Sequence, residues 1–504
     1  MNKFFMSIDL GTSSVRAFVA DFVNKKYFSS GEGYDLCIPK IGYAEQVPQV
    51  WYEKTVAAIK NVLSKSGINP EQIEAVSFSG QMHGLVALNE NFQPLTNAII
   101  WLDQRSSEVL DEIYAILGLN GIFENTQNRI TAGHLIGTLY WLKKYHEQIY
   151  RQIKYIMLPK DYVKFRLCGK IITDYSDAAG SLAFNNEKLS WAYPLIEALG
   201  LDSKIFPDCK ASTEIIGHIN HDTAKDTGLS EKTLVVNGGG DGFMQAIGNG
   251  IIHEGIVSSN IGTGGQIATT VTKPVFDPEL RTSTFAHVLP KCWQLAGNCL
   301  NSGISFKWIT EQVFDIHDYE SVNREISECP PCSNGLFFLP YLTGERTPHM
   351  DPKARGVFLG LTPGHRRANL ERSVMEGVVF ALKDSLEILG QLGVDCRKIV
   401  ASGGGAKSDV WLQIQADIFE REVYKSASEE QASLGAAITA AVGTGYFENF
   451  ETACEHCVSQ PQKVFYPRAE NVEIYHRAYP IFRDIYTKNR VIFAQIASML
   501  SKLD

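Results

Sequence analysis

Two short turns, set about half a chain apart, carry residue types that can hold phosphate groups. The first is Gly11-Thr12-Ser13 and the second is Gly262-Thr263-Gly264. Each follows one β-prone run and precedes another, a pattern that predicts a hairpin with the turn at its tip. Glycine lacks a Cβ, so backbone N–H groups can approach an anion, while the Thr and Ser hydroxyls add donors. The pair predicts a duplicated fold in which two hairpins hold one nucleotide across a cleft.

Two aspartates are candidates for direct chemistry. Asp241 follows a buried-type strand and the run Gly238-Gly239-Gly240, and it precedes a helical pattern. Asp often caps a helix at such a position. A simple cap does not need three preceding glycines, so we predict that the Asp241 carboxylate accepts a proton from a substrate hydroxyl. Asp9 ends the first strand directly before the first turn. Asp is also an ordinary turn residue, but beside two phosphate turns we favour an Asp9 that holds Mg²⁺ through water.

Several hydrogen-bonding side chains are expected at strand ends, where ligands of α/β folds gather. Gln81, Met82 and His83 lie between two strand candidates, and Trp101 and Asp103 follow another. Such residue types bind a polyol through directional hydrogen bonds. The alternative interpretations are a structural histidine and a methionine that only fills the core.

A glycine-rich loop follows a later strand candidate. The segment 401–408 contains Gly404 and Gly405 and ends at Ser408, where a helix is predicted to begin. Its spacing is not that of a Walker P-loop. A flat glycine surface would let a purine ring lie against the backbone, and an ordinary structural loop fits the pattern equally well.

The elements that position these residues alternate between strands and helices in both halves. The predicted strands span 4–8, 15–21, 75–79, 85–88, 233–236, 256–259, 267–271, 335–339 and 398–401. The predicted helices span 48–64, 106–117, 370–389, 409–419, 433–442 and a closing amphipathic segment, 475–503. This alternation predicts an α/β fold. The best boundary lies near Gly248-Asn249-Gly250, which gives an N-terminal domain of residues 1–249 and a C-terminal domain of residues 250–504.

The composition is that of a globular protein with a sizeable core, since 44% of its 504 residues are hydrophobic and 20% are charged. The net charge of −9 argues against a nucleic-acid partner, because no basic face would offset phosphate repulsion. The N-terminal apolar run is too short for a signal peptide, and no stretch approaches the roughly 20 apolar residues of a membrane span. We therefore expect a cytoplasmic protein without a membrane partner.

The ten cysteines include two pairs with metal-ligand spacing, Cys329/Cys332 and Cys454/Cys457. Two such pairs can build a four-thiolate zinc site. The pairs are far apart in sequence, and two prolines between Cys329 and Cys332 remove backbone amides that would steady a thiolate. We therefore favour reduced thiols without a metal, as is usual in a cytosolic protein.

Taken together, these motifs resemble the FGGY family of carbohydrate kinases, which is related to actin and the heat-shock ATPases. The resemblance extends from Asp9 to about Gly445. The segments similar to the xylulokinase branch of that family are 80–84, 101–105, 158–162, 176–180 and 340–349. The segment 356–376 is similar to the C-terminal signature of the family as a whole.

The resemblance implies two actin-like (ribonuclease H-like) domains around a cleft for ATP and a sugar. It implies transfer of the γ-phosphoryl group of ATP to the 5-hydroxyl of D-xylulose, with Mg²⁺ as cofactor and Asp241 as the base. A small-molecule sugar is then the expected partner, and a homodimer is compatible with the resemblance. The predicted sugar contacts are Gln81, Met82, His83, Trp101 and Asp103. The predicted ATP contacts are Gly11, Thr12, Ser13, Arg16, Gly262, Thr263, Gly264, Gly404, Gly405 and Ser408.

The chain departs from the family pattern at three places. Gly242 stands where xylulokinases usually have Asn, which removes a candidate sugar contact. The second turn lacks the usual Thr-Ser pair, and Gly137-Thr138 replaces a Pro-Lys pair. The first departure bears on the sugar, so a kinase for ribulose, sedoheptulose, gluconate or a pentitol is the alternative.

Two alternatives come from other functional classes. A non-catalytic sugar sensor on the same fold would carry a helix-turn-helix before the first hairpin, which is not expected because the first strand begins near Phe4. A chaperone-type ATPase would need a peptide-binding domain after the second half, for which the remaining sequence is too short.

Overall fold

A computed structural model describes residues 3–427, 430–459, 461 and 463–500. The strands of the first half are β1 (Phe4–Leu10), β2 (Ser14–Asp21), β3 (Lys26–Gly33), β4 (Glu45–Gln46), β5 (Ile73–Gly80), β6 (Val86–Leu88), β7 (Ala98–Ile99), β8 (Tyr155–Met157), β9 (Ile172–Asp174), β10 (Phe184–Asn185), β11 (Ser190–Trp191), β12 (Asp208–Lys210), β13 (Ile215–His218), β14 (Leu234–Val236) and β15 (Gly239–Gly240). Its helices are α1 (Pro48–Ser66), α2 (Ser107–Thr126), α3 (Leu135–Tyr145), α4 (Glu147–Tyr150), α5 (Pro159–Cys168), α6 (Tyr175–Gly180), α7 (Tyr193–Ala198), α8 (His221–Thr227) and α9 (Asp241–Gly248).

The second half continues the same alternation. Its strands are β16 (Gly255–Ile261), β17 (Gly265–Val271), β18 (Ser283–Ala286), β19 (Trp293–Cys299), β20 (Phe337–Leu339), β21 (Val357–Leu359), β22 (Cys396–Ser402), β23 (Glu422–Lys425) and β24 (Lys463–Phe465). Its helices are α10 (Gly303–Lys307), α11 (Tyr319–Ser327), α12 (Arg367–Gln391), α13 (Asp409–Phe419), α14 (Gln431–Gly443), α15 (Phe450–Cys457) and α16 (Ala469–Leu500).

Two seven-stranded sheets repeat one topology. The first has the order β13-β14-β5-β1-β2-β3, with β15 also paired to β5, and the second has the order β18-β19-β17-β16-β22-β23-β24. In each sheet an antiparallel hairpin (β1/β2 or β16/β17) extends into a third antiparallel strand (β3 or β19). The first hairpin strand then pairs in parallel with a much later strand, β5 or β22. This shared order confirms the predicted duplication and the α/β class.

The local sequence explains why these elements form. Six of the seven residues of β1 and five of the seven of β16 are buried, as expected for central strands whose two faces are both covered. Helix α1 begins at Pro48, where the missing N–H is not needed, and it ends before Gly67, whose φ of 66° closes the helix. The strands β1 and β16, which lead into the two turns, therefore lie in the protein core.

Helix α14 belongs to the second half in sequence but packs on the first sheet. Its Leu434 side chain shares a hydrophobic core with Phe5 of β1. The helix also crosses α9 at very short range, because a Cβ on Gly435 would lie only 1.9 Å from the Met244 carbonyl oxygen. Only glycine permits this approach. The predicted boundary at 249/250 assigns the strands of each sheet to one half, but α14 of the second half packs on the sheet of the first. The boundary between the domains stays a prediction.

Every predicted strand overlaps an observed one, while two helices differ from their predicted bounds by more than three residues. The helix predicted to end at Leu117 continues to Thr126 after an interruption at Gly118, whose φ of 64° and ψ of 161° are not helical. The closing helix starts at Ala469, before its predicted start at Tyr475, and its predicted end at residue 503 lies outside the described residues. Among the described residues, no helix has both the length and the apolar character needed to cross a lipid bilayer.

Candidate active site

The first phosphate turn joins β1 to β2, and neighbouring side chains hold its backbone. The Gly11 N–H donates to the Ser14 carbonyl over 3.0 Å, which closes the turn. The Tyr34 hydroxyl donates to the Gly11 carbonyl, and Gln46 Nε2 donates to the Thr12 carbonyl over 2.6 Å. These contacts fix the peptide groups that are predicted to face a phosphate.

The second phosphate turn joins β16 to β17 and is bound to the start of α10. The Gly262 N–H donates to the Gly264 carbonyl over 2.9 Å. The Gly303 N–H donates to the Gly262 carbonyl over 2.8 Å, and the Ile304 N–H donates to the Thr263 carbonyl over 3.1 Å. The two turns are thus built alike, each by a short hydrogen-bonded loop with outside support.

The glycine-rich loop abuts the second turn. A Cβ on Gly403 would lie 2.4 Å from Asn260 Oδ1, and the φ of Gly403 is 78°. Asn260 Nδ2 in turn donates to Gln245 Oε1 over 2.9 Å, and Gln245 lies on α9. A cavity of about 320 Å³ opens beside them, lined in part by Gln245, Ser402, Gly403 and Ala406. The glycine loop and the helix of Asp241 therefore line one cavity, and Asn260, two residues before the second turn, contacts both of them.

Two predicted ATP contacts have structural partners. The Arg16 guanidinium forms an ion pair with Glu430 at 2.9 Å. The Ser408 hydroxyl accepts a hydrogen bond from the Trp411 N–H over 3.2 Å and donates to Asn323 over 2.6 Å, so it caps α13. A contact of Arg16 or Ser408 with ATP stays a prediction, as it does for Gly404 and Gly405.

Asp241 emerges from a crowded glycine turn. Gly238 has a φ of 83°, which suits glycine, and a Cβ there would lie 2.4 Å from the Phe78 carbonyl oxygen. A Cβ on Gly240 would lie 2.5 Å from Met82 Sδ. Gly240 is the N-cap of α9 and Asp241 is its first residue. The helix-cap interpretation therefore applies to Gly240, while the Asp241 carboxylate accepts a hydrogen bond from the adjacent Gly242 N–H over 2.7 Å.

The carboxylates of Asp241 and Asp9 interact electrostatically. Burial, and next the negative charge of Asp9, raise the pKa of Asp241 to about 7. Burial also raises the pKa of Asp9, although a hydrogen bond with Ser79 and the charge of Arg16 act in the opposite direction. A base whose pKa lies near neutral pH is well matched to accept a proton from a hydroxyl group.

The Asp241 carboxylate lines a cavity of about 270 Å³ between the two halves. The first half contributes Met82, His83, Trp101, Arg129, Thr131, His134, Leu182, Asp241, Gly242 and Phe243. The second half contributes Gln266, Leu280, Thr282, Ser283, Phe285, Gln294, Asn298, Arg346, Thr347 and Met350. Three of the five predicted sugar contacts, Met82, His83 and Trp101, therefore lie on one cavity wall with the predicted base.

His83 is held as a neutral hydrogen-bond acceptor. Its Nδ1 lies 2.7 Å from the Gly180 carbonyl oxygen, so Nδ1 carries the proton and donates it. Burial lowers the pKa of His83 to about 4, which keeps the ring neutral at pH 7. Its Nε2 is then an acceptor. The His134 ring lies 4.3 Å from the His83 ring, centroid to centroid, and closes the same wall.

The other two predicted sugar contacts, Gln81 and Asp103, do not line this cavity. Gln81 Nε2 donates to Gln46 Oε1 over 2.9 Å, behind the first turn. Asp103 forms an ion pair with Arg105 at 2.8 Å and accepts a hydrogen bond from the Ala44 N–H over 2.6 Å. Both side chains are about 1% exposed, so they support the surrounding loops, and their predicted sugar contact has no support in this placement.

Sequence reasoning missed most of the second wall. Gln266 and Asn298 face each other on neighbouring strands, and Gln266 Nε2 donates to Asn298 Oδ1 over 2.9 Å. Arg346 lies in the segment 340–349, whose similarity to the family was noted without assigning that residue a role. Burial lowers the pKa of the Arg346 guanidinium, and the neighbouring Glu345 acts in the opposite direction.

The described cysteines are free thiols. Burial raises the pKa of Cys332, Cys454 and Cys457 to about 12, so each keeps its proton at neutral pH. A protonated thiol is a poor metal ligand. Within the described part of the chain, one group of three acidic, histidine or cysteine side chains has metal-ligand spacing, namely Asp161, Asp174 and Asp177. The Lys160 ammonium contacts all three carboxylates and occupies their centre.

Known proteins match this chain over nearly its whole length. Models for the N-terminal and C-terminal domains of the FGGY family of carbohydrate kinases match residues 4–248 and 257–444. The chain is 35% identical to the xylulose kinase of Bacillus subtilis (strain 168) over 97% of both chains. The solved structure of gluconate kinase from Lactobacillus acidophilus has a TM-score of 0.92 at 29% identity, covering 98% of this chain and 99% of that one. Ligand-bound xylulose kinase from the same organism has a TM-score of 0.92 at 28% identity, covering 98% and 100%.

These matches confirm the family resemblance and the two-domain α/β fold predicted from the sequence. They cover the sheets, both turns and the cavity walls described above. The chain therefore belongs to the FGGY family of carbohydrate kinases.

Proposed function

We propose that this kinase transfers the γ-phosphoryl group of ATP to the 5-hydroxyl of D-xylulose, giving D-xylulose 5-phosphate and ADP. The observation that carries the proposal is the position of Asp241, a carboxylate with a pKa near 7 on the wall of a cavity between the two halves. The similarity to the Bacillus subtilis xylulose kinase supports the choice of sugar.

In the proposed reaction, ionised Asp241 accepts the proton of the 5-hydroxyl while that oxygen attacks the γ-phosphorus. The bond from the γ-phosphorus to the bridging oxygen breaks, and ADP leaves with that electron pair. The hydrogen bond from the Gly242 N–H orients the carboxylate. Because little covalent chemistry is asked of the protein, its main task is to hold both substrates in line.

Recognition of the sugar is assigned to the first-half wall. The His83 Nε2 acceptor suits a substrate hydroxyl, because Nδ1 is already bonded to Gly180. The Trp101 ring, about 40% exposed, offers an apolar face for the carbon chain. Met82 completes the floor against Gly240. Together they provide the mix of apolar surface and few directed polar groups that is typical of small-ligand sites.

The phosphates of ATP are assigned to the two Gly-Thr turns, and Mg²⁺ to Asp9. The donor set fits such an ion, because Mg²⁺ prefers carboxylate and phosphate oxygens. Asp9 supplies a carboxylate whose raised pKa reflects burial that a cation would offset. When bound, Mg²⁺ would neutralise charge on the phosphates.

Gluconate is the second candidate substrate. Two guanidinium groups, Arg129 and Arg346, line the cavity, and Asp241 is the one carboxylate among its described lining residues. An excess of positive charge suits an acid sugar as well as the phosphates of ATP. The Lactobacillus acidophilus gluconate kinase structure supports this alternative.

The test is an ADP-release assay with D-xylulose, D-ribulose, sedoheptulose, gluconate and a pentitol. We expect the highest kcat/KM with D-xylulose. A higher kcat/KM with gluconate would replace the first candidate by the second, and a lack of ADP release with every sugar would contradict both.

We further propose that the protein acts in the cytoplasm without a nucleic-acid or membrane partner, as the net charge of −9 suggests. A homodimer is part of the proposal. Sedimentation velocity at micromolar concentration distinguishes it from a monomer.

A further inference from the structure

A buried charge cluster lies next to the Asp241 turn, outside the cavity. Its members are Lys160, Asp161, Lys164, Asp174 and Asp177, and no side chain among them is more than 3% exposed. Lys160 Nζ lies 2.7 Å from Asp161, 2.6 Å from Asp174 and 2.8 Å from Asp177. Lys164 Nζ also contacts Asp161, at 2.7 Å. None of these groups takes part in the proposed reaction.

One side chain, Ser176, connects this cluster to the glycine turn. The Ser176 hydroxyl donates to Asp174 Oδ1 and accepts a hydrogen bond from the Gly240 N–H over 3.0 Å. Gly240 immediately precedes Asp241. The contacts therefore form a chain from the Lys160 ammonium, through Asp174 and Ser176, to the peptide unit beside the proposed base.

Two lysines and three aspartates make up the cluster, so their charges largely offset one another. Burial raises the pKa of Asp177, which favours its protonated form. Buried ion pairs lose hydration energy that their mutual attraction barely offsets, so such a cluster is weak evidence for added stability. A role in fixing one local geometry accounts better for its place beside the turn.

We propose that Ser176 is a positioning residue, which holds the Gly240 peptide so that the Asp241 carboxylate faces the substrate hydroxyl. The inference rests on the proposed role of Asp241 as the base. The Ser176 O–H points to Asp174, so its oxygen is left to accept the Gly240 N–H. Three successive glycines have unusual conformational freedom. Without this bond the turn populates other conformations, and the carboxylate is less often within reach of the hydroxyl.

The test compares Ser176→Ala with the matched control Ser212→Ala. The Ser212 hydroxyl is also buried and also donates to Asp174 Oδ1, over 3.4 Å, but among the described contacts its side chain does not bond to Gly240. Each change removes one hydroxyl that donates to Asp174. We expect Ser176→Ala to lower kcat by roughly 10- to 100-fold, the effect of a small misplacement, with both KM values within about twofold. Ser212→Ala should keep a near-normal kcat.

Equal losses of kcat in the two variants would overturn the proposal, because they would reflect a general role in packing. A near-normal kcat in Ser176→Ala would overturn it as well. Hydrogen exchange of the Gly240 amide gives a readout without catalysis, and it should be faster in Ser176→Ala than in Ser212→Ala. If Ser176→Ala does not fold, Ser176→Cys weakens the same bond at similar size, and an unchanged kcat there contradicts the proposal.

The measurement uses whichever sugar the wild type phosphorylates fastest. Failure of the D-xylulose assignment therefore leaves this test intact. Failure of Asp241 as the base would show separately, as near-normal turnover in Asp241→Asn.

Discussion

The indole N–H of Trp101 donates a hydrogen bond to Thr12 Oγ1 over 2.9 Å. Trp101 lines the cavity assigned to the sugar, and Thr12 lies in the first phosphate turn. Because the Thr12 oxygen accepts from the indole, its own O–H is left to donate to another acceptor, such as a phosphate oxygen. One side chain thus joins the two proposed substrate sites.

Replacement of Trp101 by Phe should weaken the binding of both substrates, ATP and the sugar. The change keeps an aromatic face but removes the donor to Thr12, and one neutral hydrogen bond contributes about 0.5–1.5 kcal/mol. We expect the KM for ATP to rise roughly two- to tenfold along with the KM for the sugar. Trp141→Phe is the control, since the Trp141 N–H donates to Glu108 on a helix outside the cavity. An ATP KM that stays at the wild-type value would disprove the link.

Asp241→Asn should abolish most of the activity while leaving ATP binding intact. The amide keeps the shape of the carboxylate but cannot accept the proton, so we expect kcat to fall by about 10²–10⁴. In the wild type, kcat/KM should fall about tenfold per pH unit below pH 7, where Asp241 becomes protonated. Steady-state assays from pH 5 to pH 9 measure both effects. Near-normal turnover in the variant would exclude Asp241 as the base.

The same substitution should stabilise the fold, and more so at high pH. The unfolded chain loses the Asp241 proton near pH 3.9, whereas the folded protein keeps it up to about pH 7. Between these values the folded state binds more protons, so the free energy of unfolding falls as pH rises. Asn does not ionise and escapes this loss. The Tm difference between variant and wild type should therefore be larger at pH 8 than at pH 5, and a constant difference would contradict the raised pKa.

Asp9→Asn should change both the metal requirement and the pH profile. We expect lower turnover and a higher Mg²⁺ concentration for half-maximal activity, because a carboxylate near the phosphates is lost. The Asp9 charge raises the pKa of Asp241, so its removal should move the acid limb of kcat/KM to lower pH. Asp21→Asn, on β2 of the same sheet, is the control. An unchanged Mg²⁺ dependence with full activity would remove Asp9 from the site.

The sequence was most informative where local chemistry decides the structure. Both Gly-Thr turns lie at hairpin tips, as predicted, because the alternation of β-prone runs and glycine determines such hairpins without help from distant residues. The glycine run before Asp241 was likewise readable, since only glycine fits beside Phe78 and Met82. These features depend on a few neighbouring residues.

The second wall of the cavity depends on contacts that no local pattern encodes. Gln266 lies opposite Asn298 because of the register between β17 and β19. Arg346 lies on a later loop and also lines the cavity. The sequence also does not show which way each side chain points. Gln81 and His83 are two positions apart, yet Gln81 supports the first turn and His83 lines the cavity. Residue types pointed to the right segments, and the tertiary fold decided which side chains face the ligand.

Gly242→Asn tests the residue on which the choice of sugar depends most. A Cβ at Gly242 would have no heavy atom within 4 Å apart from its chain neighbours and its own helix backbone, so there is room for a side chain to start there. Because Gly242 lines the cavity beside Asp241, we expect the Asn side chain to reduce the cavity volume and to add polar groups. A site whose buried polar groups must pair with particular hydroxyls rejects sugars that leave them unpaired.

We therefore expect Gly242→Asn to raise the ratio of kcat/KM for D-xylulose over sedoheptulose and gluconate. Gly242→Ala is the control, because it adds a Cβ without the amide. If the alanine variant changes the ratio as much as the asparagine variant, lost space and not a new hydrogen bond sets the preference. The opposite result is a wild type that prefers sedoheptulose or gluconate and loses that preference only in Gly242→Asn. That result would mean that the space beside Gly242 accommodates a longer substrate. D-xylulose would then not be the natural substrate.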